Sequence, residues 1–243
     1  MRARIGALVA AAVGVAGVLA AAAPVSAAPI FAPHHSTAAH SQPRVGGKFN
    51  QDGGNWSGYV VQGSGFSSVS ASWVEPAVTC NSSNDLYAPW VGIDGYGSSS
   101  VEQTGVATDC SSGSPVYQAW YEMYPQSPVY YSNPVSAGDS FTASVTRSGT
   151  KYTLKLTDNT KGWTRTVSKS YNGANASAEF ILESPTAGYP DFGRVTFTNA
   201  KINGQSLGNY GNAVALDASS SAGFEDRTNA VSGGTFSVDY IQE

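Results

Sequence analysis

The feature that most constrains the fold is a succession of short β-forming segments separated by Gly, Ser, Asn and Pro, with almost no helical period from Trp56 onward. Val116–Tyr124 predicts an aromatic strand, and Ser148-Gly149 predicts a hairpin turn. Arg194–Thr198 and Phe236–Tyr240 predict two late strands. We therefore expect an all-β domain in which antiparallel sheets pack face to face as a β-sandwich.

The first residues have the pattern of a secretory signal peptide. Arg2 and Arg4 precede an apolar run over residues 5–23, and small residues at 25–27 form a cleavage-like site. We expect residues 1–27 to be removed on export and the mature protein to be secreted and extracellular. No later segment is apolar enough to span a bilayer, so a membrane is not an expected partner.

Residues 28–54 have the composition of a linker or propeptide, rich in Pro, Ser, Gln and Gly and without apolar periodicity. The three histidines of the chain, His34, His35 and His40, all lie here. A solvated spacer and an inhibitory propeptide both fit this segment, and the sequence leaves the two open. Residues 55–243 have the right length for a single domain with its own core, which we expect to be monomeric.

Charge is distributed unevenly along the chain. No Lys or Arg occurs between Lys48 and Arg147, whereas that stretch holds eight carboxyl groups, those of Asp52, Glu75, Asp85, Asp94, Glu102, Asp109, Glu122 and Asp139. Nucleic acid and anionic membranes are therefore not expected partners. The pattern also suits acidic conditions, because protonating carboxylates in a chain with few bases creates little repulsive positive charge.

Cys80 and Cys110 are the only cysteines of the chain. In an oxidising compartment they predict a disulfide. Two cysteines without a histidine in the domain provide no usual zinc ligand set, and no cofactor is expected. The missing histidine also excludes Ser–His–Asp and Cys–His mechanisms, so catalysis would have to use carboxylates and amides.

Two segments carry candidate groups for such chemistry. In Ser177–Glu183, Glu179 and Glu183 would share one face of a strand with Ile181, about 13 Å apart, so at most one of them can act at a given reacting centre. Taken alone, this segment is better explained as a solvated strand face. In the second segment, Trp90 and Asp94 would share a strand face ahead of a Gln-Thr-Gly turn.

In combination and order, these motifs resemble those of the glutamic peptidases, also called eqolisins. The resemblance covers essentially the whole folded domain and rests on Asn55-Trp-Ser-Gly58, Trp90-Val-Gly-Ile-Asp-Gly95, Gln103-Thr-Gly105, Ala119-Trp-Tyr-Glu122, Ala178-Glu-Phe-Ile-Leu-Glu183 and Phe192-Gly-Arg-Val-Thr-Phe-Thr-Asn199. It implies a concanavalin-like sandwich of two seven-stranded antiparallel sheets. It also implies endopeptidase activity on polypeptides in acid that pepstatin does not block.

The resemblance implies roles for five residues. Gln103 and Glu183 match the catalytic dyad of the family, and Trp90, Asp94 and Glu122 match further residues of its active-site cleft. In the implied mechanism Glu183 is the general base for a water, and the amide of Gln103 stabilises the oxyanion.

Two other functions remain open from the residues alone. One is a β-sandwich glycoside hydrolase with two of Glu122, Glu179 and Glu183 as acid and base. Because that chemistry needs carboxyls about 5–10 Å apart, Glu122 would have to take part. The other is a non-catalytic, lectin-like binding domain.

Overall fold

The computed structural model describes residues 49–242 as two large β-sheets packed against each other. The signal peptide, the three histidines and most of the linker lie outside the described residues. The strands in chain order are β1 (Gln51–Asp52), β2 (Trp56–Gln62), β3 (Ser68–Val74), β4 (Leu86–Ile93), β5 (Val101–Asp109), β6 (Val116–Tyr124), β7 (Val129–Tyr130), β8 (Ser140–Ser148), β9 (Lys151–Asp158), β10 (Trp163–Ser170), β11 (Ser177–Glu183), β12 (Arg194–Ile202), β13 (Gln205–Ser206), β14 (Ala213–Asp217), β15 (Ser219–Ser220), β16 (Gly223–Phe224), β17 (Asp226–Thr228) and β18 (Phe236–Tyr240).

A single 3-10 turn, Leu207–Asn209, is the one helical element among the described residues, where no helix is long or apolar enough to cross a membrane. The prediction of an all-β sandwich is confirmed. The predicted strand over residues 116–124 is present with those bounds, and Ser148 pairs with Lys151 across the predicted hairpin turn.

The first sheet has the order β1-β14-β2-β11-β4-β5-β6-β7, and the second has the order β10-β9-β8-β3-β12-β18-β17 with β13 beside β12. The second sheet thus has the expected seven strands along its path. The first has eight, because short strands pair at both of its edges. One of these, β1, runs parallel to β14, whereas the other pairs of the two large sheets are antiparallel.

The folded sheet begins inside the segment that the sequence assigned to a linker. Asn50 donates hydrogen bonds from its backbone N–H and its side-chain Nδ2 to the two carboxylate oxygens of Asp217, at 2.7 and 2.8 Å. This anchor holds Gln51–Asp52 against β14. Residues 50–52, which the sequence assigned to the linker, are thus joined to the folded sheet by hydrogen bonds and strand pairing.

Each face of the first sheet buries its own apolar cluster. The inner face packs on the second sheet and includes Phe180 and Leu182, as their alternation in β11 predicted. The outer face carries a smaller cluster with three tryptophans and Ile181. Every residue of β11 is buried, so the glutamates beside Ile181 do not form the solvated strand face that the sequence left open.

The predicted disulfide between Cys80 and Cys110 is present. The loop that it closes contains the whole of β4 and β5, the two strands that carry Trp90 and Gln103. In the chain-entropy account, a closed loop of this size stabilises the fold by about 3–4 kcal/mol. The crosslink therefore restrains the two central strands of the candidate site.

Candidate active site

Strand register places four of the five predicted site residues, all except Asp94, on one face of the first sheet. Gln103 on β5 lies opposite Gly92 on β4 and Glu122 on β6. Glu183 on β11 lies opposite Ala88 on β4. Residues directly opposite each other on neighbouring strands point to the same side of a sheet, as do residues two apart along a strand. These side chains therefore share the outer face, away from the second sheet.

Trp90 occupies the cross-strand row between those of Gln103 and Glu183, opposite Gly105 on β5. Glu179 is opposite Gly92, so it shares the row of Gln103, while Glu183 lies two rows, about 13 Å, further along the strand. The side chain of Trp90 therefore bridges the two rows of the predicted dyad.

The carboxylate of Glu183 is held at both oxygens. Trp90 Nε1 donates a hydrogen bond to Oε2 at 3.1 Å, and Asn55 Nδ2 donates one to Oε1 at 3.2 Å. The whole side chain is buried. Two donors that approach different oxygens fix the plane of the carboxylate, which a general base needs in order to act on one particular water.

Gln103 is bonded to Glu122. Its Nε2 donates a hydrogen bond to Glu122 Oε2 at 2.7 Å, and both side chains are buried. Burial raises the pKa of Glu122 to about 9, against the opposing effect of the Gln103 hydrogen bond, and the charge of Glu183 raises it further. Glu122 is therefore protonated and neutral in acid and near neutral pH.

Two glycines explain how Trp90 can lie along the sheet. A Cβ at Gly105 would overlap the carbonyl oxygen of Pro89 and stand 2.7 Å from the Cβ of Trp90. A Cβ at Gly92 would stand 2.9 Å from the Trp90 ring. Trp56 packs edge-on against Trp90, with ring centroids 5.0 Å apart. The small residues of these motifs thus leave the space that the indole needs to reach Glu183.

Asp94 departs from the expected alternation. Strand β4 ends at Ile93, and Asp94 adopts a left-handed backbone conformation with φ of 64°. Its carboxylate accepts hydrogen bonds from the backbone N–H groups of Asn175 and Ala176, each at 2.8 Å. Asp94 therefore does not continue the strand face of Trp90 as predicted. Its two hydrogen bonds instead hold the segment that leads into β11, the strand that carries Glu183.

Two more buried glutamates lie near Asp94. Glu179 accepts a hydrogen bond from the backbone N–H of Tyr96 at 3.4 Å, and burial raises its pKa well above the ordinary value. Glu102 precedes Gln103 and points to the inner face. Its pKa is raised to about 8, first by burial and then by the charge of Asp94. Both side chains are therefore neutral in acid.

Sequence reasoning missed the positions of Asn55 and Glu102. Asn55 belongs to a motif that matched the family, but its contact with Glu183 joins residues 128 positions apart, and no local pattern reveals such a contact. Glu102 was noted only as one of several acidic residues. The alternation of β5 places it opposite to Gln103, on the core side, which the sequence could have indicated.

The two-sheet sandwich carries a buried carboxylate, a hydrogen-bonded amide and further acidic residues on one face. This combination defines the class as that of the glutamic peptidases. The sequence profile of the Peptidase A4 family matches residues 54–240. The chain belongs to this family, and it is a peptide hydrolase.

Individual relatives agree with this assignment. The chain is 29% identical to Aspergillopepsin-2 of Aspergillus niger over 231 residues, which is 82% of each protein. It is 38% identical to Scytalidopepsin B of Scytalidium lignicola over 138 residues, which cover 53% of this chain and 51% of that protein.

The structure is similar to solved glutamic peptidases. A crystal structure of scytalido-glutamic peptidase with a transition-state analogue inhibitor superposes with a TM-score of 0.69 at 30% identity, covering 77% of this chain and 98% of the other. Aspergilloglutamic peptidase from Aspergillus niger gives a TM-score of 0.56 at 30% identity, covering 65% and 99%. Similarity to these relatives favours a peptidase over the two other functions that the sequence left open, the glycoside hydrolase and the lectin-like domain.

Proposed function

We propose that this protein is a secreted endopeptidase that cleaves polypeptides in acid, with Glu183 as general base and Gln103 as the group that stabilises the oxyanion. The observation that carries the proposal is the buried Glu183 carboxylate, oriented by N–H donors from Trp90 and Asn55. Burial gives a fixed hydrogen bond more electrostatic effect than it has in water.

The reaction needs two proton transfers. Ionised Glu183 removes a proton from a water as the water oxygen bonds to the scissile carbonyl carbon. The carbonyl oxygen becomes an oxyanion, to which Gln103 Nε2 donates a hydrogen bond. Protonated Glu183 then gives its proton to the amide nitrogen as the C–N bond breaks, which yields a carboxylic acid and an amine. Because Nε2 carries two hydrogens, its bond to Glu122 is compatible with this role.

The other two glutamates of this face support the choice of Glu183. The raised pKa of Glu122, about 9, and that of Glu179, well above the ordinary value, keep both carboxyls protonated in acid. A protonated carboxyl can donate a proton but cannot accept one. In Glu183, by contrast, each of the two oxygens accepts a hydrogen bond from an N–H group, one from Trp90 on β4 and one from Asn55 in the loop before β2.

The experiment compares two glutamates of one strand. Glu183→Gln should abolish cleavage of a denatured protein at about pH 4, in the range where carboxylates titrate, whereas Glu179→Gln should retain cleavage. Gln103→Ala should also abolish it, and pepstatin should have no effect on the wild type. Circular dichroism checks that the variants fold. Full activity of Glu183→Gln would disprove the proposal, and so would loss of activity confined to Glu179→Gln.

A further inference from the structure

Within residues 49–242, the basic residues are gathered on the second sheet and one of its turns. Every Lys and Arg of residues 49–242 lies on a strand of the second sheet or in the turn between β9 and β10. They are Arg147, Lys151, Lys155, Lys161, Arg165, Lys169, Arg194, Lys201 and Arg227. The strands of the first sheet carry carboxyl groups and no basic residue. The two sheets therefore differ strongly in their content of basic residues.

The outer face of the second sheet is covered by hydroxyl groups. On β3, β8, β9, β10 and β12 the outward positions are Ser or Thr, apart from Val74, four basic residues and Asn199, which is exposed where the pairing of β12 with β3 shifts register. Several hydroxyls of neighbouring strands bond to each other, as Ser72 and Thr142 do at 2.9 Å and Thr157 and Thr164 do at 3.0 Å. No aromatic side chain occupies an outward position on these five strands.

Two of the four outward cations lie in the same cross-strand row. Lys201 on β12 is opposite Ser70, Ser70 is opposite Ser144, and Ser144 is opposite Lys155 on β9. Three strand spacings separate the two lysines, about 14 Å. Both are exposed. Their side chains therefore leave the sheet in one cross-strand row, with Ser70 and Ser144 between them.

A groove of about 370 Å³ lies on the same face and continues it toward Arg194. Its walls include Ser72, Ser140 and Thr198, with Val74 at the rim. Arg194 forms an ion pair with Asp239, which lies opposite it on β18.

We propose that this hydroxyl-rich, basic face of the second sheet binds an acidic polysaccharide. Lysines provide the charge attraction, and the rows of Ser and Thr provide donors and acceptors for the hydroxyls of a polyol. Nucleic acid is a poorer fit, because single-stranded nucleic acids gain much of their binding from stacking on aromatic side chains, which this face lacks. The proposal is independent of the peptidase mechanism, since the site lies on the opposite side of the sandwich from Glu183.

The test measures binding of the full-length mature protein to dextran sulfate, with neutral dextran of the same length as the reference. The wild type should bind dextran sulfate with an affinity that falls as salt rises, and should not bind neutral dextran. The variant Lys155→Ser/Lys201→Ser extends the local pattern of Ser. It should bind roughly five- to thirtyfold more weakly, as expected for two exposed charge contacts.

A matched control removes the same charge elsewhere on the sheet. Arg165 and Lys169 are on edge strand β10 and point to the opposite side from Thr166. Arg165→Ser/Lys169→Ser should retain the wild-type affinity within about twofold, and all variants should cleave a soluble peptide like the wild type. Equal loss in both double variants would overturn the proposal, because net charge alone would then explain binding. Absent binding to dextran sulfate, or tighter binding to an oligonucleotide of equal charge, would also overturn it.

Discussion

The indole Nε1 of Trp90 donates a hydrogen bond to Glu183 Oε2 across 3.1 Å, on a pair of adjacent antiparallel strands. Asn55 completes the arrangement from the loop before β2. Glu183 is thus positioned by one residue from the centre of the sheet and one from near the start of the domain. This relationship leads to the first of four predictions.

Removing either donor should lower kcat while the fold is retained. Trp90→Phe and Asn55→Ala each delete one N–H group that contacts the Glu183 carboxylate. Hydrogen bonds to charged groups contribute about 1.5–3 kcal/mol, so we expect a decrease of roughly ten- to a hundredfold for each variant. Steady-state kinetics on a soluble peptide measures it. An effect confined to KM would mean that these residues contact substrate instead of orienting the base.

Replacing the carboxyl of Glu122 with an amide should have little effect in acid. The pKa of Glu122, raised to about 9 chiefly by burial, means that this side chain is already neutral there. In Glu122→Gln the side-chain oxygen can still accept the hydrogen bond from Gln103. We expect kcat at about pH 4 to stay within roughly threefold of the wild type. Glu122→Ala, which removes the acceptor, is the contrasting variant and should lose more than tenfold.

The fold should become less stable as the pH rises from acid toward neutrality. Burial raises the pKa of Glu75 to about 7 and the pKa values of Glu102 and Asp226 to about 8. In the unfolded chain such groups titrate near pH 4. Their stabilising contribution is therefore complete below about pH 4 and is lost progressively as the pH rises toward 7 to 8, by about 1.4 kcal/mol per pH unit for each group.

Thermal unfolding followed by circular dichroism from pH 3 to pH 8 tests this expectation. Tm should fall with rising pH, and Glu102→Gln should make the decline shallower because the amide cannot ionise. A Tm that rises toward neutral pH would contradict the prediction.

The space beside Trp90 should not tolerate a methyl group. In Gly105→Ala the new Cβ would meet Pro89 O and the Trp90 Cβ, which belong to the neighbouring strand and cannot move independently of it. We expect a destabilisation of about 2 kcal/mol or more, together with reduced kcat. Gly211→Ala is the control, since a Cβ there meets nothing within 4 Å. Urea unfolding gives the free energy of unfolding of both variants. Equal values would contradict the prediction and would mean that β4 and β5 move apart to admit the methyl group.

The sequence by itself determined the fold class and the two faces of the strand that carries Glu183. The period of two in Ser177–Glu183 was enough to direct Phe180 and Leu182 to the core and Glu179, Ile181 and Glu183 to the other side, as the structure shows. The two cysteines were enough to predict the disulfide. These features are local or depend on one pair of residues, and alternation along a strand follows from backbone geometry alone.

Only the tertiary structure decided which groups meet. Asn55 reaches Glu183 because β2 pairs with β11, and Asp94 leaves the strand face because its backbone turns to bind residues 175 and 176. The raised pKa values of the buried glutamates likewise depend on packing by distant strands. Strand order also decides that the basic residues of 49–242 lie on the second sheet or in the turn between β9 and β10. Register and strand order are set by contacts between segments far apart in the chain, whose distances no local period encodes.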